Sequence, residues 1–212
     1  MQMHDDVSHY LEQTHSQPNP LLLELEQHGR YEEVPAVSRA LGRFLSVLVH
    51  AMQANRVLEV GTAYGYATMW MGLALPPAGK IWTLDPNIER TEMARSYFDR
   101  AGISDRIEVI NQPAQVVLPS FPQHNFDIVF IDGDKKEYRE YLDHALPMLK
   151  LSGLIVAHNL FLGGRVFAKP NAGDDAAVKA IRHFNDAFLS HPDLDASILP
   201  LAGGTGIGSR VR

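Results

Sequence analysis

Apolar positions repeat along this chain in two alternating rhythms. Leu41, Phe44, Leu45, Leu48, Val49 and Met52 recur at helical spacing and predict an amphipathic helix. The apolar run Val57-Leu58-Glu59-Val60 then breaks at Gly61-Thr62-Ala63-Tyr64-Gly65-Tyr66, which predicts a buried strand turning through glycines into a helix. The alternation continues with a second strand at Ile81–Asp85, a helix from Ile88 to Ala101 burying Met93, Ala94, Tyr97 and Phe98, and a third strand at Ile107–Ile110. A fourth strand at Phe126–Ile131 precedes a helix striped by Tyr138, Tyr141, Leu142, Ala145, Leu146 and Leu149, and a fifth follows at Leu154–Ala157. A last helix is capped at Asp174 or Asp175 and striped by Val178, Ile181, Phe184 and Phe188. Ile198-Leu199 and Gly206-Ile207-Gly208 read as short closing strands, although glycine weakens a strand. Strands alternating with helices predict an α/β, Rossmann-like fold: a mostly parallel sheet with helices on both faces. Ahead of this pattern, Leu21, Leu22, Leu23 and Leu25 form a cluster within residues 1–34, read as a helical lid or an arm that pairs subunits.

At 212 residues with 45% hydrophobic content, the chain can bury one substantial core, so one domain over residues 1–212 is expected. No apolar run reaches the roughly 18 residues of a membrane span. The start Met1-Gln2-Met3-His4-Asp5-Asp6 lacks the basic-then-apolar layout of a secretion signal, so a cytoplasmic protein is expected. The absence of cysteine removes disulfides, thiolate metal sites and a cysteine nucleophile. A net charge of -6 disfavours non-specific nucleic-acid binding. His4, His9, His15 and His28 read as surface residues.

In such sheets ligands lie beyond the carboxyl ends of the strands. The polar candidates there are Glu59 and Gly61, then Asp85, Ala114 and Gln115, Asp132, and His158 with Asn159. Gly61 and Gly65 are separated by three residues, which departs from the G-x-G-x-x-G of a dinucleotide site and disfavours a nicotinamide-linked oxidoreductase. Glu59 offers a carboxylate to a cationic ligand such as the amino group of a methionine moiety. Asp85 stands 24 residues past Gly61, near the offset of an acid that binds a ribose diol, and can equally cap the helix after Pro86.

Three segments in this order, Glu59-Val60-Gly61-Thr62-Ala63-Tyr64-Gly65-Tyr66, Phe130-Ile131-Asp132-Gly133-Asp134-Lys135-Lys136-Glu137-Tyr138 and His158-Asn159-Leu160-Phe161-Leu162-Gly163-Gly164, resemble the class I cation-dependent O-methyltransferases of the catechol and caffeoyl-coenzyme-A type. The similarity runs from roughly Pro35 to the C-terminus. It implies a seven-stranded fold that binds S-adenosylmethionine, a divalent cation, methyl transfer to a hydroxyl of a vicinal diphenol, and a homodimer. Carried over by position, it assigns the methyl donor to Val37, Glu59, Gly61, Tyr64, Asp85, Ala114, Gln115 and Asp132, the metal to Asp132, His158 and Asn159, and the catalytic lysine to Lys135. The chemistry agrees, because a phenol with pKa near 10 must lose its proton before it attacks a sulfonium methyl. A chelated cation and a nearby base favour that loss.

The chain also departs from the family pattern. His158 stands where aspartate is usual, exchanging an oxygen ligand for nitrogen, which leaves three outcomes: a metal that takes nitrogen, such as manganese, cobalt, nickel or zinc; magnesium held poorly; or no metal, with His158 as a general base; the first is the reading favoured. Ala67 replaces a common serine near the donor's carboxylate, with Thr68 as a substitute, and Pro113 lacks an N–H, which points to Gln115 as the adenine partner. Leu162 replaces a common tryptophan and Gly203 a common aspartate at the acceptor edge. Phe161, Leu162 and Phe167, with Gly163, Gly164 and Gly173, read as a loop over the acceptor pocket. Two other readings stay open: a donor-binding protein with altered or lost metal chemistry, and a hydroxylated nucleoside as acceptor.

Overall fold

The computed structural model describes residues 18–171 and 173–212, together with Tyr10, Leu11 and Thr14. The expectation for His4, His9 and His15 lies outside these residues. Helix α1 (Pro20–Tyr31) starts where Asn19 accepts the Leu21 N–H and Pro20 fills the first turn; α2 (Arg39–Ala51) starts at Ser38, which caps Leu41. Strand β1 (Arg56–Val60) leads through the glycine turn into α3 (Tyr66–Ala74). Then follow β2 (Lys80–Leu84), α4 (Ile88–Arg100), β3 (Ile107–Ile110), the single turn α5 (Ala114–Val117), β4 (Phe126–Ile131), α6 (Tyr138–Met148), β5 (Leu149–Ala157), α7 (Ala176–Ser190), β6 (Leu194–Leu199) and β7 (Thr205–Arg210).

The seven strands lie in the order β3-β2-β1-β4-β5-β7-β6, with β1 to β5 parallel and β7 antiparallel to both of its neighbours. Side chains alternate across this sheet because strand residues point to opposite faces in turn. Leu58, Val60, Val129 and Ile131 join Leu142, Phe184 and Phe188 of α6 and α7 on one face. Val57, Ile128 and Phe130 join Leu45, Met69 and Phe98 of α2, α3 and α4 on the other. The seven-stranded, mostly parallel sheet expected from the sequence is therefore present.

The structure departs from the sequence pattern in four places. Strand β5 starts five residues before Leu154, at Leu149, because its pairing with β4 continues past the exposed Leu151-Ser152 where the apolar run is interrupted. The terminal strands are longer than expected, and the glycines of β7 are packing devices: a Cβ at Gly206 or Gly208 would press on the Phe188 ring at 3.1 or 3.0 Å. The leucines of α1 are not short of partners within the chain. Leu22 and Leu25 are each 1% exposed and join the core of α2, α3 and α4. His28, read as a surface residue, is half-buried on α1, with Nδ1 3.3 Å from the Tyr97 hydroxyl and its ring 5.4 Å from that of Tyr64. No helix among the described residues is long and apolar enough to cross a membrane.

Candidate functional site

Strand order reverses between β1 and β4, because β2 and β3 lie on one side of β1 while β5 and β7 lie beyond β4. The chain segments leaving β1 and β4 thus diverge and open a crevice at the carboxyl edge. A cleft of about 660 Å³ fills it. Gly61, Asp85, Ala114 and Gln115 line one end, and Asp132, Lys135, His158 and Asn159 line the other. A narrower hollow shares Gly61 and Asp132 with the cleft and adds Val37 and Tyr64.

Only glycine fits at position 61. Its φ is +100°, and a Cβ there would overlap the carbonyl oxygen of Asp132, so the turn after β1 lies directly on the end of β4. Gly61→Ala is expected to destabilise the fold by about 3 kcal/mol or more, from backbone strain and overpacking together. Denaturant unfolding of the variant measures this, and wild-type stability would show that the turn can move aside.

Asp85 is held by the backbone of that same turn. Its Oδ2 accepts the Ala63 N–H at 2.8 Å and its Oδ1 the Asn87 N–H at 2.9 Å. The carboxylate is thereby aimed across the cleft wall, and Asn87 rather than Asp85 caps α4. Gln115 is half-buried on the cleft, beside Pro113 and Ala114.

Glu59 occupies a different place from the one its sequence position suggested. It is fully buried under the turn and absent from the cleft and hollow walls. Its Oε2 accepts hydrogen bonds from Thr68 and from Thr83 at 2.6 Å, and Thr83 in turn meets Thr62 at 2.6 Å. Burial pushes the Glu59 carboxyl up to about 8, against the pull of the two hydroxyls. Through Oε2 Glu59 ties the glycine turn to β2 and α3, while its Oε1 has no hydrogen-bond partner among the described residues. Thr68 is consumed by the same network and is no substitute for a serine at position 67.

At the other end of the cleft, Asp132 Oδ1 lies 2.9 Å from Lys135 Nζ and 3.0 Å from His158 Nδ1. Burial pushes its carboxyl up, but His158 and Lys135 outweigh this and hold it below the usual carboxylate range. Tyr138 completes the cluster. Its buried hydroxyl accepts from Lys135 Nζ and sits 2.9 Å from the His158 carbonyl and 3.2 Å from that of Ile131, so one phenol links the lysine to the ends of β4 and β5. In the sequence Tyr138 shows as part of a helix stripe and as the end of the Asp132–Lys135 segment, with no role of its own. Its offset of three residues from Lys135, across a helix start, was the available signal.

Asn159 adopts a left-handed φ of +60°, and its Oδ1 lies against Gly203, where a Cβ would approach to 2.9 Å. An aspartate at 203 would not fit this arrangement. Leu162 is buried rather than presented to the cleft. Among the described residues no three His, Cys, Asp or Glu side chains cluster as a metal site. The available donor set is one carboxylate, one imidazole and one carboxamide. The 3.0 Å between Asp132 Oδ1 and His158 Nδ1 is a hydrogen-bond distance, so these two side chains hold each other. In donor chemistry alone, a carboxylate, an imidazole and a carboxamide match a cation that accepts nitrogen better than one that demands only oxygen.

Comparison with known proteins gives a consistent picture. A family model described as O-methyltransferase matches residues 12–211. The chain is 36% identical over 203 residues to a catechol O-methyltransferase of Mycobacterium tuberculosis, covering 95% of this chain and 91% of that protein. It is 31% identical over 179 residues to a caffeoyl-CoA O-methyltransferase of Eucalyptus gunnii, covering 81% and 72%. Among solved structures, an O-methyltransferase from Streptomyces achromogenes in complex with SAM superposes with a TM-score of 0.88 at 28% identity, covering 98% of this chain and 96% of that one.

Proposed function

This chain belongs to the O-methyltransferase family, and on that premise we propose that it moves a methyl group from S-adenosylmethionine to one hydroxyl of a small vicinal diphenol, with a divalent cation at Asp132, His158 and Asn159. The observation that carries this reading is the single cleft. It joins a turn and an acid suited to an adenosyl group to a cluster suited to deprotonating a hydroxyl.

In the donor half, Asp85 accepts hydrogen bonds from the ribose diol and Gln115 faces the adenine edge. Val37 and Tyr64 enclose the methionine end in the hollow beside Asp132. In the acceptor half, a cation held by Asp132, His158 and Asn159 would act as a Lewis acid that favours the phenolate and fixes the diol's orientation. In its neutral form Lys135 takes the hydroxyl proton on Nζ and becomes the ammonium that pairs with Asp132 and Tyr138. The oxygen's electron pair forms the new O–CH₃ bond as the S–CH₃ bond breaks, and sulfur leaves as a neutral thioether.

The donor set sets the metal preference. One carboxylate beside an imidazole holds magnesium weakly, whereas manganese, cobalt, nickel and zinc accept nitrogen readily. Methyl transfer assayed on a panel of diphenols across these metals is expected to favour vicinal over meta diols, to be highest with a nitrogen-accepting metal and to vanish in chelator. His158→Asp should move the preference to magnesium. Equal rates in excess chelator would remove the cation from this reading.

A further inference from the structure

The segment after Asn159 has little regular structure of its own. Gly163 and Gly164 have φ values of +66° and +88°, with nothing near a Cβ at Gly163 and only the Phe167 ring near one at Gly164. Such a segment samples many conformations unless something outside it supplies hydrogen bonds. Helix α7 does so from one side. Arg182 Nε donates to the Val166 carbonyl at 3.2 Å, Nη2 to those of Arg165 at 3.2 Å and Ala168 at 2.7 Å, and Nη1 to the Asp174 carboxylate. One turn along the helix, Asn185 Nδ2 donates to the Leu160 carbonyl at 3.1 Å.

The residue between the gripped carbonyls is Phe167, and it is 70% exposed. A ring in that position gains little from folding, yet its backbone is held on both sides by one guanidinium. Among the described residues its one aromatic neighbour is Phe161, at 5.1 Å between ring centres. Phe161 in turn is pinned by its N–H to the Gly203 carbonyl at 2.8 Å, and Gly203 abuts the Asn159 carboxamide. The Phe161 backbone is thus tied to Gly203, which abuts Asn159 on the acceptor wall of the cleft, and the Phe167 ring packs on that of Phe161.

We infer that Arg182 is the positioning residue of the acceptor end, and that the ring it presents, Phe167, is the face on which a planar aromatic acceptor packs. This rests on the proposed diphenol methylation. The packing of one ring on another favours aromatic over aliphatic diols without requiring any charge on the acceptor.

Steady-state kinetics on the full chain test it. Phe167→Ala and Arg182→Gln should each raise KM for a vicinal diphenol roughly tenfold, with kcat and the affinity for S-adenosylmethionine within about twofold of wild type. Phe167→Tyr and Phe167→Trp should restore KM. The double variant should bind the acceptor no more weakly than Phe167→Ala, since both changes remove one contact. Trypsin should cut after Arg165 faster in Arg182→Gln than in wild type. An unchanged KM in Phe167→Ala while the wild type turns over would overturn this inference, as would a parallel loss of cofactor affinity in both variants. No transfer by the wild type to any diphenol would instead overturn the proposed function, with the trypsin result still reporting whether Arg182 holds the loop.

Discussion

Lys135→Ala is expected to lower kcat by about 10²- to 10⁴-fold, the usual contribution of a positioned general base. The side chain stands where it can receive the acceptor's proton: Nζ is 2.9 Å from Asp132 Oδ1, hydrogen-bonded to Tyr138, and on the wall of the acceptor half. Removing it deletes the base and also leaves the Asp132 carboxylate with one cationic partner fewer. Lys135→Arg separates these effects, because a guanidinium keeps the charge but holds its protons throughout the working pH range. If Lys135 is the base, both variants lose activity, and S-adenosylmethionine still binds each of them in calorimetric titrations. Should Lys135→Arg keep most of the wild-type rate, the lysine would be an electrostatic support and the proton would leave by another route.

The second large effect concerns stability. The Glu59 carboxyl titrates at about 8 in the folded chain against a reference of 4.5, chiefly because it is wholly buried. Between these values the unfolded chain has released the proton and the folded chain still holds it. The folded state then binds more protons, and stability falls as pH rises through that window. The difference corresponds to a loss on the order of 4 kcal/mol by pH 8. Glu59→Gln keeps the shape and hydrogen-bonding capacity toward Thr68 and Thr83 without the ionisation. Denaturant melts from pH 5 to 8.5 should therefore show a flatter curve for the variant, with the two proteins close at pH 5 and the variant ahead at pH 8. Parallel curves would place the origin of any pH dependence elsewhere.

Much of the architecture was legible because apolar periodicity is a local property. The runs at 126–131 and 107–110 became β4 and β3 with their ends unchanged, and the stripe through Val178, Ile181, Phe184 and Phe188 became the buried face of α7. The start of β5 was not legible, since its pairing is supplied by β4 rather than by its own side chains. Tyr138 and Arg182 were missed for a related reason. Each looks ordinary within its helix and takes its meaning from carbonyls that the fold brings to it: those of His158 and Ile131 for the tyrosine, those of residues 165, 166 and 168 for the arginine.

By itself, the sequence determined the alternating layout of strands and helices, the glycine turn, and the short set of polar residues at strand ends, because each depends on residue type and spacing over a few positions. Only the tertiary structure decided which of those residues share one cleft, that Glu59 lies beneath it, and that Asp132, Lys135, His158 and Tyr138 form a single hydrogen-bonded cluster. Burial and contact between distant segments are set by how the sheet stacks its neighbours, and the chemistry of an ionisable group follows from that burial rather than from its place in the chain.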